Sequence, residues 1–124
     1  MMAEEKLRVL ISDDEEMVRL TLTDMLEIAG YQVCGEAVDG IQAIEMTSRL
    51  HPDIILMDIS MPRMDGIEAS RIINATWPTP ILFLTAFLDR EMVTRAADAG
   101  AFAYLIKPCR QGDLSPAIET ARSR

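Results

Sequence analysis

The stretch "DIILMDISMPRMDG", residues 53–66, sets four apolar residues directly before a carboxylate, Asp58. A carboxylate at the end of a buried run is partly desolvated and needs a partner. Other residues with usable chemistry end or follow similar short runs: Asp13 and Asp14 in "SDDEE", Thr85 after "ILFL", and Lys107 after "AYLI". Taken singly, each has an ordinary explanation. Asp13 or Asp14 would cap a helix whose first turn favours acids, Thr85 would be another cap, and Lys107 a solvated strand end. Taken together they describe a site. Three carboxylates at one point repel one another unless a cation lies among them, and hard all-oxygen ligation with open positions suits Mg2+. An ammonium and a hydroxyl beside them match the charge of a phosphoryl group in transfer, with Asp58 as the nucleophile.

For these residues to meet, the fold must bring several run ends to one edge. Apolar runs at 7–11, 31–38, 54–57, 81–84 and 103–106 alternate with amphipathic stretches, the pattern of βα units and a parallel sheet. The runs at 54–57 and 81–84 are apolar throughout and suit central strands, whereas 31–38 carries Gly35 and Glu36 and suits an edge. Helical spacing puts Val18, Leu22, Met25, Leu26 and Ala29 on one face, with Gly30 ending that helix. The same spacing groups Ala43, Ile44, Thr47 and Leu50, then Ala69, Ile72 and Ile73, then Val93, Ala96 and Ala97, and last Leu114, Ala117, Ile118 and Ala121. Pro116 is expected near the start of the final helix, where a missing N–H matters least. The expected fold is α/β, a three-layer, doubly wound, five-stranded parallel sheet. Ligands bind beyond the carboxyl ends of such strands, where the five residues fall.

With 124 residues the chain is expected to be one domain, residues 1–6 forming a short N-terminal tail. Apolar residues make up 49% and charged residues 26%, ordinary values for a soluble globular protein. A net charge of −8 without a Lys/Arg stripe argues against direct nucleic-acid contact and against anionic membranes. No apolar run approaches the roughly 18 residues of a membrane span, and the acidic "MMAEEK" start is unlike a signal peptide, so a cytoplasmic location is expected. Cys34 and Cys109 form no metal-type cluster and are expected as reduced thiols; His51 reads as an exposed helix-end residue.

From "VLISDDE" through "LMDISMPRMDGIEA" and "FLTA" to "AYLIKP", essentially the whole chain resembles the receiver domains of bacterial two-component response regulators, the fold of the chemotaxis response regulator. That resemblance implies a flavodoxin-like (βα)5 unit with strand order 2-1-3-4-5. In that order Cys34 and Cys109 lie towards opposite edges, too far apart for a disulfide. The resemblance further implies that Asp58 accepts a phosphoryl group from a phosphohistidine on a sensor histidine kinase. Asp14 would ligate Mg2+ directly, Asp13 largely through water, and Asp58 and the Ser60 carbonyl would complete the protein ligands, with Mn2+ or Ca2+ able to substitute. Lys107 would clamp phosphoryl oxygens and Thr85 would bond the attached group. Thr85 and Tyr104 would form a switch re-forming the surface of the fourth helix, fifth strand and fifth helix. The Lys107–Pro108 bond would be cis. Ser60 and Phe87 would tune the phosphoryl lifetime, apolar Phe87 lengthening it because it cannot orient water. Such a chain is no conventional turnover enzyme; it catalyses its own phosphorylation and dephosphorylation.

The C-terminal half, "LTAFLDREMVTRAADAGAFAYLIKPCRQGDLSPAIETARSR", looks like receivers that precede an ANTAR module, a small helical RNA-binding unit used in transcription antitermination. The expected partner for output is such a module outside these 124 residues or a separate effector, with the receiver a monomer or a phosphorylation-dependent dimer. Three rivals fit less well. A phosphohydrolase of the haloacid-dehalogenase type wants a second acid two residues after the nucleophile, where Ser60 stands. A nucleotide-binding flavodoxin-like protein wants a glycine-rich loop where "SDDEE" stands. A receiver-like module that only binds would be expected to lack one of Asp14, Asp58, Thr85 or Lys107, and all are present.

Overall fold

The structure, a computed structural model, describes residues 5–86, 90–99 and 103–123. Strands and helices alternate: β1 Arg8–Ser12, α1 Glu16–Ile28, β2 Gln32–Ala37, α2 Gly40–Leu50, β3 Ile54–Asp58, α3 Gly66–Thr76, β4 Ile81–Thr85, α4 Arg90–Asp98, β5 Ala103–Ile106 and α5 Gln111–Arg122. The five strands form one parallel sheet in the order β2-β1-β3-β4-β5, as expected, with the Gly35-bearing strand at an edge. Both β3 and β4 are buried at every position, which is why their sequences show no polar alternation.

Successive side chains of a strand point to opposite faces, and the core divides accordingly. Val9, Ile11, Leu56 and Leu84 pack with Leu22, Leu26, Leu114 and Ile118 of α1 and α5. Leu10, Ile55, Met57 and Phe83 pack on the other side with Ala43, Ile67, Ile73 and Ala96 of α2, α3 and α4. Each Leu, Ile or Phe removed from water contributes about 1.5–3 kcal/mol, so the sheet is clamped from both faces. Asp39 and Asp65 cap α2 and α3, accepting the N–H groups of Gln42 and Glu68 at 2.8 Å. Gly30, at φ 93°, terminates α1, and His51 closes α2 in the left-handed region and is exposed.

Three local expectations are corrected. Ala29 and Ala97 are exposed; Ala29 is the C-cap of α1, and in the fourth helix the buried stripe runs through Ala96 to Ala99, one position off the face that would carry Ala97. The side chain of Val93 lies outside the described ones. Pro116 sits in the second turn of α5 rather than at its start; the N–H it lacks would bond the carbonyl of Gly112, an exposed residue open to water. Cys34 is on edge strand β2 and Cys109 follows β5 at the opposite edge, both thiols free.

Candidate functional site

Asp13, directly after β1, is fully buried, and each of its polar groups has a partner. Its N–H donates to Ala37 O at 3.0 Å, and its carbonyl accepts Arg19 Nη1 at 2.8 Å. Its carboxylate accepts the Glu15 N–H on Oδ1 at 2.9 Å and Lys107 Nζ on Oδ2 at 2.6 Å. Arg19 is itself braced by Glu36 at 3.1 Å. Asp14, next along, is exposed.

Asp58 is the last residue of β3 and only 5% exposed. Lys107 Nζ stands 3.4 Å from its Oδ1, and the Ser60 N–H donates to the same oxygen at 3.4 Å. Burial, reinforced by the charge of Asp13, pushes the Asp58 carboxyl up to about 6 against the pull of Lys107 and the Ser60 N–H. Burial acts on Lys107 the other way, yet the hydrogen bond it donates to Asp13 and the charge of Asp58 win, and its ammonium is held above the ordinary lysine value. One cation therefore serves two buried carboxylates, and it sits closer to Asp13 than to Asp58.

Carboxylate oxygens of Asp13, Asp14 and Asp58 lie within 4.8 Å of one another, a cluster of hard donors with too little positive charge nearby. These residues fit a divalent cation of the Mg2+ kind. Thr85 ends β4, is 3% exposed, and donates its hydroxyl to Met92 Sδ at 3.4 Å. A cavity of about 310 Å3 is lined by Asp14, Asp58, Ser60, Thr85, Met92 and Lys107, among others. Backbone bonds from Ile59 N to Leu84 O at 3.1 Å and from Lys107 N to Thr85 O at 2.8 Å carry the ladder past the strand ends and fix their relative height. Tyr104 stands apart from this group: it is half-buried on β5, opposite Phe83 in register, and the two rings stack with centroids 6.4 Å apart. The Lys107–Pro108 bond is cis. Phe87 lies outside the described residues.

Sequence reasoning missed several residues that shape the site. The N–H of Gly66 donates to Ile59 O at 2.9 Å, and a Cβ there would fall 2.1 Å from Asp58 O, so only glycine allows the loop after β3 to fold back this tightly. The "DG" at 65–66 was a legible signal for that turn. Arg63, at φ 66°, ties the same loop to the α2 cap through Asp39, while the Gly40 N–H donates to Met64 O at 2.9 Å. Met92 and Arg19 carried no signal, because helical spacing says which way a side chain leans but not which polar atom it meets.

A parallel five-stranded sheet in this order, with buried and exposed acids, a hydroxyl and a lysine at its carboxyl edge, is a flavodoxin-like fold of the receiver class. Residues 9–119 match the response regulator receiver domain profile, and the chain belongs to that family, the receiver domains of two-component response regulators. It is 50% identical over 117 residues to the transcriptional regulatory protein PdtaR of Mycobacterium tuberculosis, a match covering 94% of this chain and 57% of that protein. Over 117 residues it is 42% identical to the transcriptional regulatory protein LiaR of Bacillus subtilis, covering 93% of this chain and 56% of that protein. The chain thus spans a little over half the length of these relatives. Among solved structures, the signal receiver domain of the response regulator NarL from Mycobacterium tuberculosis superposes with a TM-score of 0.91 at 31% identity, covering 98% of this chain and 100% of that one. No helix among the described residues is long and apolar enough to cross a membrane.

Proposed function

We propose that this receiver takes a phosphoryl group from a phosphohistidine of a sensor histidine kinase onto Asp58 and passes the change to a transcription output. The observation that carries the reading is Asp58 itself: a nearly buried carboxylate at the wall of a cavity it shares with Asp14, Thr85 and Lys107. An Asp58 carboxylate oxygen attacks phosphorus, the phosphorus–nitrogen bond to the donor imidazole breaks, and the imidazole keeps the bonding pair and takes up a proton. Asp13, Asp14, Asp58 and the Ser60 carbonyl are the groups that would hold Mg2+, which when bound supplies positive charge for the carboxylates and for the phosphoryl oxygens. Lys107 remains protonated and offers its ammonium to the phosphoryl oxygens, and the Thr85 hydroxyl donates to the attached group. As the Thr85 side chain moves toward that group, Tyr104 on β5 turns inward into the space it leaves.

The output is read as RNA-binding antitermination through an ANTAR-like module. Two things support this: the C-terminal half of the sequence, and the similarity to a transcriptional regulatory protein with 43% of its length outside the match, the complement of the 57% covered. The receiver's own net charge of −8 leaves RNA contact to other residues. The test is intact mass after incubation with Mg2+ and acetyl phosphate, beside Asp58→Asn. One Mg2+-dependent phosphoryl adduct on wild type alone is expected; no adduct while Mg2+ binds would leave a binding module without the chemistry.

A further inference from the structure

The two acids that follow β1 are held in different ways. Asp13 is fully buried with both carboxylate oxygens bonded, whereas Asp14 is exposed, so its backbone sets the direction of its side chain. The peptide unit between them is therefore what aims Asp14. Its carbonyl, that of Asp13, accepts Arg19 Nη1 at 2.8 Å from the first turn of α1. On the other side of Asp14, the Glu15 N–H is tied back to Asp13 Oδ1 at 2.9 Å.

Arg19 has a side chain only 15% exposed, and its contacts use the forked shape of the guanidinium. Nη1 goes to the Asp13 carbonyl, and Nε donates to Glu36 Oε1 at 3.1 Å. Two N–H groups in one rigid plane fix the orientation of the group as well as its place, which a lysine ammonium cannot do. Glu36 lies on β2, opposite Ile11 of β1 in register, so the brace starts from the sheet itself. Its neighbour Ala37 accepts the Asp13 N–H at 3.0 Å. Adjacent residues of β2 thus hold the peptide units on either side of Asp13, Ala37 directly and Glu36 through Arg19. The sequence marked Glu36 only as the polar residue of an edge strand.

We propose that Arg19, oriented by Glu36, is a positioning residue for the divalent-cation site: it fixes the Asp13–Asp14 peptide so that the exposed Asp14 carboxylate meets those of Asp13 and Asp58. This rests on the reading of the three acids as cation ligands given above. Charge and position make opposite predictions. A guanidinium acting only as a positive charge beside the acids would repel a divalent cation, and its removal would tighten binding. A guanidinium acting as a brace loosens binding when it is removed, and a lysine that keeps the charge does not restore it.

The test is isothermal titration of Mg2+ into wild type, Arg19→Gln, Arg19→Lys and Glu36→Ala, with the melting midpoint in EDTA as a check on folding. Loss of a group that orients a metal ligand costs about 10- to 100-fold in affinity. Because Arg19 acts through the backbone, Arg19→Gln is expected at the low end, about tenfold weaker. Arg19→Lys and Glu36→Ala each keep one of the two anchors, and about threefold is expected for each. With acetyl phosphate, the Mg2+ concentration giving half the maximal phosphorylation rate is expected to rise by the same factors, while the rate at saturating Mg2+ moves far less. A residue that only held the fold together would lower the EDTA midpoint and leave the Mg2+ affinity of the folded protein unchanged. Unchanged or tighter Mg2+ binding in Arg19→Gln would overturn the proposal, as would wild-type affinity in Arg19→Lys. Wild type that bound no Mg2+ would instead overturn the reading of the acids, and with it the task given to Arg19.

Discussion

The two halves of the carboxyl edge are built to different standards. At β1 and β3, Asp13 is fixed at its N–H, its carbonyl and both carboxylate oxygens, and the loop after Asp58 is pinned by Gly66, Gly40 and Arg63. At the end of β4 and on the helix after it, Thr85 donates to a thioether, the buried side chains described on α4 are alanines, and the Arg95–Asp65 ion pair beside them is half in water, whereas Lys107 after β5 reaches across to the acids and belongs with them. The acid half is preorganised, so little rearrangement is needed when charge develops there. The hydroxyl half is weakly held, so a change of acceptor can move it. The carboxyl edge thus has a firmly held part and a loosely held part, and the border between them falls between Asp58 and Thr85, the ends of neighbouring strands.

The stiff half should break hardest. Lys107→Ala removes the only cation placed against both Asp13 and Asp58 among the described residues, and phosphorylation by acetyl phosphate is expected to slow on the order of 100-fold, measured by intact mass over time. Gly66→Ala forces a methyl group onto the Asp58 carbonyl; a loss of about 3 kcal/mol is expected in denaturant melts, and an unchanged midpoint would mean the loop has slack.

A pH series sharpens the comparison. The Asp58 carboxyl titrates at about 6 when folded, above the ordinary 3.8, so the folded chain holds its proton more tightly than the unfolded one. That stabilisation is complete below pH 3.8 and is lost as pH rises through 6. In EDTA, wild type is expected to lose about 3 kcal/mol relative to Asp58→Asn between pH 3.5 and 7. Mg2+ should recover the loss in wild type only; equal slopes in the two proteins would show that burial of Asp58 carries no strain. At the soft end, Arg95→Gln is expected to change global stability by about 0.5 kcal/mol or less. A larger drop in its melting midpoint would place α4 in the stiff half.

Most of the frame was legible because the strands that carry the candidate site residues Asp58 and Thr85 are the ones buried on both faces. Runs such as "IILMD" and "ILFLT" end on their candidate site residue, so the strand and the edge at which that residue stands could be read together. The helices were legible as faces but not to the residue: one step of helical rotation separates Ala97 from the buried Ala96, and short alanine-rich patterns cannot resolve it. Within the site, the residue types and their strand ends were readable, while partners were not. Lys107 was expected against phosphoryl oxygens; in the resting protein it lies on Asp13, because a long side chain goes to the nearest buried charge and no linear pattern states that distance.

The backbone bonds that continue the ladder past the strand ends, Ile59 to Leu84 and Lys107 to Thr85, bear on how this sequence can change over time. They meter the site in whole peptide units. A residue lost from or added to β3 or β4 would shift Asp58 or Thr85 by about 3.3 Å and turn it to the opposite face of the sheet. Insertions and deletions are therefore confined to the loops, and lineages carrying this domain can diverge by substitution along the strands but not by length.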